Sequence, residues 1–161
     1  MMDKEKNKAT SSSSCKSGNH MKLIVPSLSV NESFVRSAVA AFCAQADPTT
    51  AELADVKCAV SEAVTNCIVH AYRDVVGQIY IDAELCDGCL LKLSIRDRGC
   101  GIENLAMAQT PLYTTDKEGE RSGMGFTVME SFMDKMRVRS SVGKGTTVLL
   151  YKRLKGRDAD T

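Results

Sequence analysis

The sequence predicts an α+β domain in which helices cover one face of a mostly antiparallel sheet. Three observations carry this. Two stretches in the first half set apolar residues at helical 3–4 spacing, each behind a capping sequence. From Gly77 onward the period changes to two, as in a hairpin with one buried face. A second block of helix-type sequence and paired strands follows, so the order is β-α-α-β-β-α-α-β-β, with helices and hairpins grouped.

Composition narrows the function classes. The chain has 161 residues, 43% hydrophobic and 25% charged, which suits one domain with a real core. Its net charge is +1, without the basic asymmetry of a nucleic-acid binder. No apolar run reaches the roughly 18 residues of a membrane span. The N-terminus lacks the apolar stretch of a signal peptide, so a cytoplasmic protein is expected. The seven cysteines are Cys15, Cys43, Cys58, Cys67, Cys86, Cys89 and Cys100. Cys43, Cys58 and Cys67 sit in apolar helix patterns, as small hydrophobes. Cys86-Asp87-Gly88-Cys89 reads as a hairpin turn rather than a redox or zinc pair, since Asp-Gly is a strong turn signal and no second pair accompanies it.

In chain order, residues 1–20 are polar and carry a serine run, the composition of a disordered extension. Lys22 to Pro26 reads as a first strand, with Pro26 at its end or on an edge. Ser29-Val30-Asn31-Glu32 matches a capping box, and the helix behind it runs through Phe34, Val35, Ala38, Val39 and Phe42 to near Asp47-Pro48. Thr49-Thr50-Ala51-Glu52 is a second capping box. It opens a helix whose core face is Leu53, Val56, Val60, Ala63, Val64, Cys67 and Ala71. Ile79, Ile81, Ala83 and Leu85 then alternate with polar residues, as do Leu91, Leu93 and Ile95 beyond the Asp87-Gly88 turn. A short helix is expected from Ile102 to about Gln109. The polar stretch from Thr110 to Ser122 is long enough to suggest a lid or a disordered segment. A helix opens at Gly123-Met124-Gly125, with Phe126, Met129, Phe132 and Met133 on its apolar face. Strands from about Met136 to Ser140 and Thr146 to Leu154 close the domain, which spans 21–154 with a tail at 155–161.

Several residues invite a chemical reading, each beside a plain one. Asp97 continues the inward parity of Leu91, Leu93 and Ile95, so it either caps the next turn or serves as a buried acceptor. Gly99-Cys100-Gly101, Gly123-Met124-Gly125 and Gly143-Lys144-Gly145 lack the Walker and dinucleotide patterns, and each is a plain turn or a close approach to phosphate. One of them sits at a helix start, where free amides favour an anion. Glu62, Asn66 and His70 recur at i+4, about 6 Å apart along a helix. At about 100° per residue Glu62 lies nearly opposite the Leu53–Val60 face, as a solvated residue would, while Asn66 and His70 turn progressively toward the core. Arg121 is a solvated loop charge or a phosphate clamp. His70 is either core-lining or in contact with the site.

Read together, Glu62-x-x-x-Asn66, Asp97-x-Gly99-x-Gly101, Gly123-Met124-Gly125-Phe126 and Gly143-x-Gly145-Thr146 resemble the N, G1, G2 and G3 boxes of the GHKL ATPase superfamily. Leu28 to Phe34, Val60 to Asn66 and Glu120 to Phe126 further resemble the anti-sigma F kinases of spore-forming bacteria, over about Met21 to Leu154. The resemblance implies a Bergerat-type two-layer sandwich with a mixed, mostly antiparallel sheet. It implies ATP or ADP as ligand: Asp97 accepts from the adenine amine with Thr146 nearby, and Asn66 holds Mg²⁺. Gly99 and Gly101 pass close to the base, Gly123 and Gly125 turn amides to the phosphates, and Arg121 reaches the γ-phosphate. Thr114, Thr115, Ser122, Met124 and Phe126 complete the nucleotide contacts, and Glu62 is the general base.

The implied partners are the sporulation sigma factor F, held away from RNA polymerase, and a small anti-anti-sigma protein phosphorylated on serine. Glu32 and Arg36 match the partner-binding region of this family, which is homodimeric. The general-stress anti-sigma kinases resemble the lid and G2 sequence less. A histidine-kinase ATPase domain would expect a preceding phospho-accepting helix pair, and often a Lys where Val69 stands. An inactive binding module is disfavoured by Glu62, Asn66 and Arg121 occurring together.

Overall fold

A computed structural model describes residues 17–111 and 124–156. The element order is the expected one. Strand β1 is Ser17–Pro26, helix α1 Val30–Cys43 and helix α2 Thr50–Asn66. Strands β2 and β3 are Gln78–Cys86 and Leu90–Arg96. Helices α3 and α4 are Leu105–Ala108 and Gly125–Phe132, and β4 and β5 are Lys135–Ser141 and Gly145–Arg153.

The five strands form one sheet in the order β1-β2-β3-β5-β4. Every pairing among them is antiparallel, which corrects the expectation of a mixed sheet. The register aligns apolar residues across the sheet: Leu23, Ile81, Ile95, Val148 and Val138 form one row, and Met21, Ala83, Leu93, Leu150 and Met136 the next. This is the covered face. Val35 and Val39 of α1, Val56, Val60, Ala63 and Val64 of α2, and Met129 of α4 join it in one core cluster. Each fully buried Ile, Leu or Val contributes about 1.5–3 kcal/mol, so these rows hold the helices to the sheet. Helix α2 packs between α1 and α4.

Four details depart from the sequence reading. Strand β1 begins at Ser17, so residues 17–20, expected to be disordered, are strand; it pairs back along β2, with His20 opposite Glu84 and Met21 opposite Ala83. Residues 1–16 lie outside the described residues. The first capping box does not form: Ser29 has helical backbone angles and makes no side-chain cap bond. Its Glu32 is drawn away to Arg36 and Ser61. The second box forms fully, with Glu52 N donating to Thr49 Oγ1 at 3.1 Å and Thr49 N donating to Glu52 Oε2 at 3.0 Å. Helix α3 is shorter than expected, its first turn capped by Asn104, whose Oδ1 accepts from Met107 N at 3.1 Å.

The fourth departure, in α2, matters most for the cleft. After Asn66 the helix widens into a π turn over Cys67–Ala71, closed by Tyr72 N donating to Cys67 O at 3.3 Å. Such turns shift the following side chains out of the 3.6 period. At the hairpin, Asp87 and Gly88 take positive φ values of 50° and 77° and Cys89 N donates to Cys86 O, the turn that the Asp-Gly pair predicts.

Candidate nucleotide site

Strand β3 ends at Arg96, and the next residue keeps its inward parity. Asp97 is 4% exposed, a buried carboxylate at the end of the sheet. A charge there needs donors, and three converge on it. Its Oδ1 accepts from Gly99 N at 2.9 Å and from Thr146 N at 3.1 Å, while Oδ2 accepts from the Cys67 thiol at 3.7 Å. Asp97 N in turn donates to Thr146 O at 2.9 Å, which joins the end of β3 to the start of β5. Burial raises the Asp97 carboxyl above its usual range, and the Gly99, Thr146 and Cys67 hydrogen bonds pull it partly back. Burial first, and then the neighbouring Asp97 charge, pushes the Cys67 thiol well above its own range, so it stays a donor.

Two glycines make this corner possible. A side chain at Gly145, where φ is +97°, would begin 2.2 Å from Asp97 O. One at Gly99 would begin 2.3 Å from Ala71 O, the carbonyl that receives Cys100 N at 3.1 Å. The G1 loop thus lies directly on the π turn of α2. The hydroxyl of Thr146 shares a 2.8 Å hydrogen bond with Ser140.

Across a cleft of about 1190 Å³ from this corner stand Glu62 and Asn66. The cleft is larger than the roughly 300–1,000 Å³ of ordinary small-molecule sites. Glu62 lines it and is not simply solvated, because α4 covers that flank of α2. A methyl built on Gly125 would lie 3.2 Å from Glu62 Oε2 and 3.4 Å from Asn66 Oδ1, so the start of α4 faces both side chains. The amide carbonyl and carboxylate oxygens gathered there are hard donors. They suit a hard cation such as Mg²⁺, which takes one or two protein ligands and the rest from phosphate and water.

The cleft gathers most of the predicted residues: Glu62, Asn66, Asp97, Gly101, Met124, Gly125, Phe126 and Thr146 all line it. Gly99 acts one step back, through its amide on Asp97. His70 lines the cleft as well. Thr114, Thr115, Arg121, Ser122 and Gly123 lie outside the described residues. Glu32 and Arg36 sit beside the cleft on α1, joined to Ser61 of its wall. Sequence reasoning missed Cys67 as the third donor on Asp97; its apolar helical position carried no sign of that contact. It also missed Ile102, Met107 and Val142, which add apolar surface to the wall. The run of small and apolar residues after Gly101 was the available hint.

Comparison with known proteins agrees with this geometry. Residues 25–152 match the model of the histidine kinase-like ATPase domain, which implies nucleotide binding. The anti-sigma F factor of Geobacillus sp. (strain WCH70) is 55% identical over 135 residues, covering 83% of this chain and 92% of that protein. The anti-sigma F factor of Caldanaerobacter subterraneus subsp. tengcongensis is 54% identical over 134 residues, 83% of this chain and 93% of the relative. That of Anoxybacillus flavithermus is 54% identical over 137 residues, with 84% and 93% covered. A crystal structure of the RsbU and RsbW domains of a Mycobacterium tuberculosis protein shares the fold, with a TM-score of 0.61 at 24% identity over 85% of this chain and 32% of that one. Among the described residues no helix is long and apolar enough to cross a membrane. With a histidine kinase-like ATPase domain over most of its length and more than half of its aligned residues shared with these relatives, the chain belongs to the anti-sigma F factor family.

Proposed function

We propose that the chain is a serine kinase and anti-sigma factor of a sporulation partner-switch. In this reading it binds ATP with Mg²⁺, holds the sporulation sigma factor F, and phosphorylates a serine on a small anti-anti-sigma protein. The observation that carries it is the pairing within one cleft of a buried carboxylate at Asp97, one oxygen held by two backbone amides, with Glu62 and Asn66 opposite.

The division of labour follows from the side chains. Two backbone amides occupy Asp97 Oδ1, so Oδ2, held only by a weak thiol donor, is the oxygen free to accept from an exocyclic amine. Adenine presents such an amine. Asn66 would hold Mg²⁺ through its carbonyl oxygen, and the ion would supply neutralisation of charge on the phosphate oxygens. Glu62 accepts the proton of the incoming serine hydroxyl as its oxygen takes the γ-phosphoryl group from ATP, leaving ADP and phosphoserine; such a base contributes about 10²–10⁴-fold. The helix start at Gly125 directs amides toward the phosphates. Gly123, Ser122, Thr114, Thr115 and Arg121 belong to the same nucleotide set by sequence, with Arg121 on the γ-phosphate. Glu32 and Arg36 engage the protein partners. The working form is a cytoplasmic homodimer.

Incubation with γ-labelled ATP, Mg²⁺ and a candidate anti-anti-sigma protein tests this. Phosphoserine on the partner is expected, and its absence under conditions of demonstrated ATP binding sinks the kinase reading.

A further inference from the structure

Three polar side chains from two helices meet at the edge of the cleft, and none of them belongs to the nucleotide set proposed above. Arg36 Nη1 donates to Glu32 Oε1 and to Ser61 Oγ, each at 3.1 Å. Ser61 Oγ donates to the same Glu32 oxygen, closing a triangle. Glu32 and Arg36 are one turn apart on α1, and Ser61 lies on α2 immediately before Glu62.

The bonding of Ser61 is unusual for a serine inside a helix, which ordinarily points to solvent or bonds the carbonyl four residues back. Here its one donor and an acceptor pair cross to α1 instead. The contacts select a position for Arg36. Both use Nη1, so among the described residues Nε and Nη2 keep their hydrogens free, and the side chain is 38% exposed. An i,i+4 pair on a helix surface is too weak to fix a guanidinium by itself. The Ser61 hydroxyl supplies the missing constraint, and it does so from the residue next to the proposed base.

We infer that Ser61 is a positioning residue for the protein substrate: its hydroxyl sets the Glu32–Arg36 docking pair in register with Glu62. A partner held at Arg36 then presents its acceptor serine to the carboxylate that takes its proton. This rests on the kinase reading and adds a residue to it. Register of this kind is catalytically expensive to lose, since a misplacement of about 1 Å costs on the order of 100-fold.

The test compares Ser61→Ala and Ser61→Thr with the parent chain. Phosphotransfer to a purified anti-anti-sigma protein, affinity for a fluorescent ATP analogue and thermal melting are measured on each. Ser61→Ala is expected to lower kcat/KM for the protein substrate about tenfold while the nucleotide Kd stays within about twofold. Ser61→Thr, which keeps the hydroxyl, restores most of the loss. Combined with Arg36→Ala, Ser61→Ala adds little to the effect of Arg36→Ala alone, because the serine acts through the arginine. Unchanged transfer by Ser61→Ala, loss of nucleotide affinity in step with transfer, no rescue by Thr, or full additivity overturns the inference and leaves the kinase reading standing. No transfer by the parent chain with ATP bound overturns both.

Discussion

At one end of the cleft, Asp97 is a buried carboxylate whose donors are two backbone amides and a thiol, drawn from three segments of the chain. At the other, Glu62 and Asn66 are half-buried side chains on one helix, faced by the bare backbone of Gly125. The first end is fixed by main chain and sheet register. The second depends on how α4 seats against α2. On the proposed reading, base recognition falls to the end held by main chain, and chemistry to a boundary between packed helices.

The sharpest way to break this contrast is to alter one end and watch the other. Glu62→Gln is expected to lower phosphotransfer about 10²–10⁴-fold with the nucleotide Kd changed by no more than about twofold. Equal loss of binding, measured by fluorescent-nucleotide titration, means that the two ends are not separable.

Asp97→Asn acts on the rigid end, with an expected loss of nucleotide affinity of about 10- to 100-fold. The fold should not suffer, because the Asn carbonyl still accepts from Gly99 and Thr146. The pH dependence follows from burial of the carboxyl, which raises its folded value above the usual 3.8. The native state keeps a proton that the unfolded chain has released. Its contribution to stability is therefore full below that value and lost as pH rises through the folded one. At neutral pH the buried charge is a cost that Asn removes. Melting curves should show the variant at least as stable as the parent at neutral pH, with the gap closing on acidification; a widening gap refutes the assignment.

Gly125→Ala probes the boundary. Its methyl would lie 3.2 Å from Glu62 Oε2, close enough to displace the carboxylate by a few tenths of an ångström. Transfer should fall about tenfold while melting changes little, since alanine suits a helix start. Thr49→Ala, remote from both ends, is the control: loss of its cap costs about 1 kcal/mol by denaturant titration, with nucleotide affinity unchanged.

Much of the rigid end was legible in the sequence. Alternation through Leu91, Leu93 and Ile95 already turns Asp97 inward, and β2 and β3 were found by their period of two. The helix rim of the cleft was harder to read. A single helix period reports the main core beneath it, so it sent Glu62 to solvent; the covering residue, Gly125, comes from a helix far along the chain. The two capping boxes make the same point. Thr49 and Glu52 close theirs within four residues, whereas Ser29 and Glu32 do not, because Ser61 and Arg36 claim the carboxylate. The π turn after Asn66 answers to the G1 loop packed on its last carbonyl, a contact no local pattern carries.

The insertion of β5 between β3 and β4 has a consequence for synthesis. Asp97 emerges from the ribosome well before Gly145 and Thr146, which complete its corner. Until they arrive, the carboxylate lacks one of its two amide donors, and the central strand lacks a neighbour. A chain cut short before the last hairpin has its helices and strands β1 to β3 but lacks the β5 residues that face Asp97. Nucleotide therefore rewards only the chain that has added its last two strands, stabilising it by mass action.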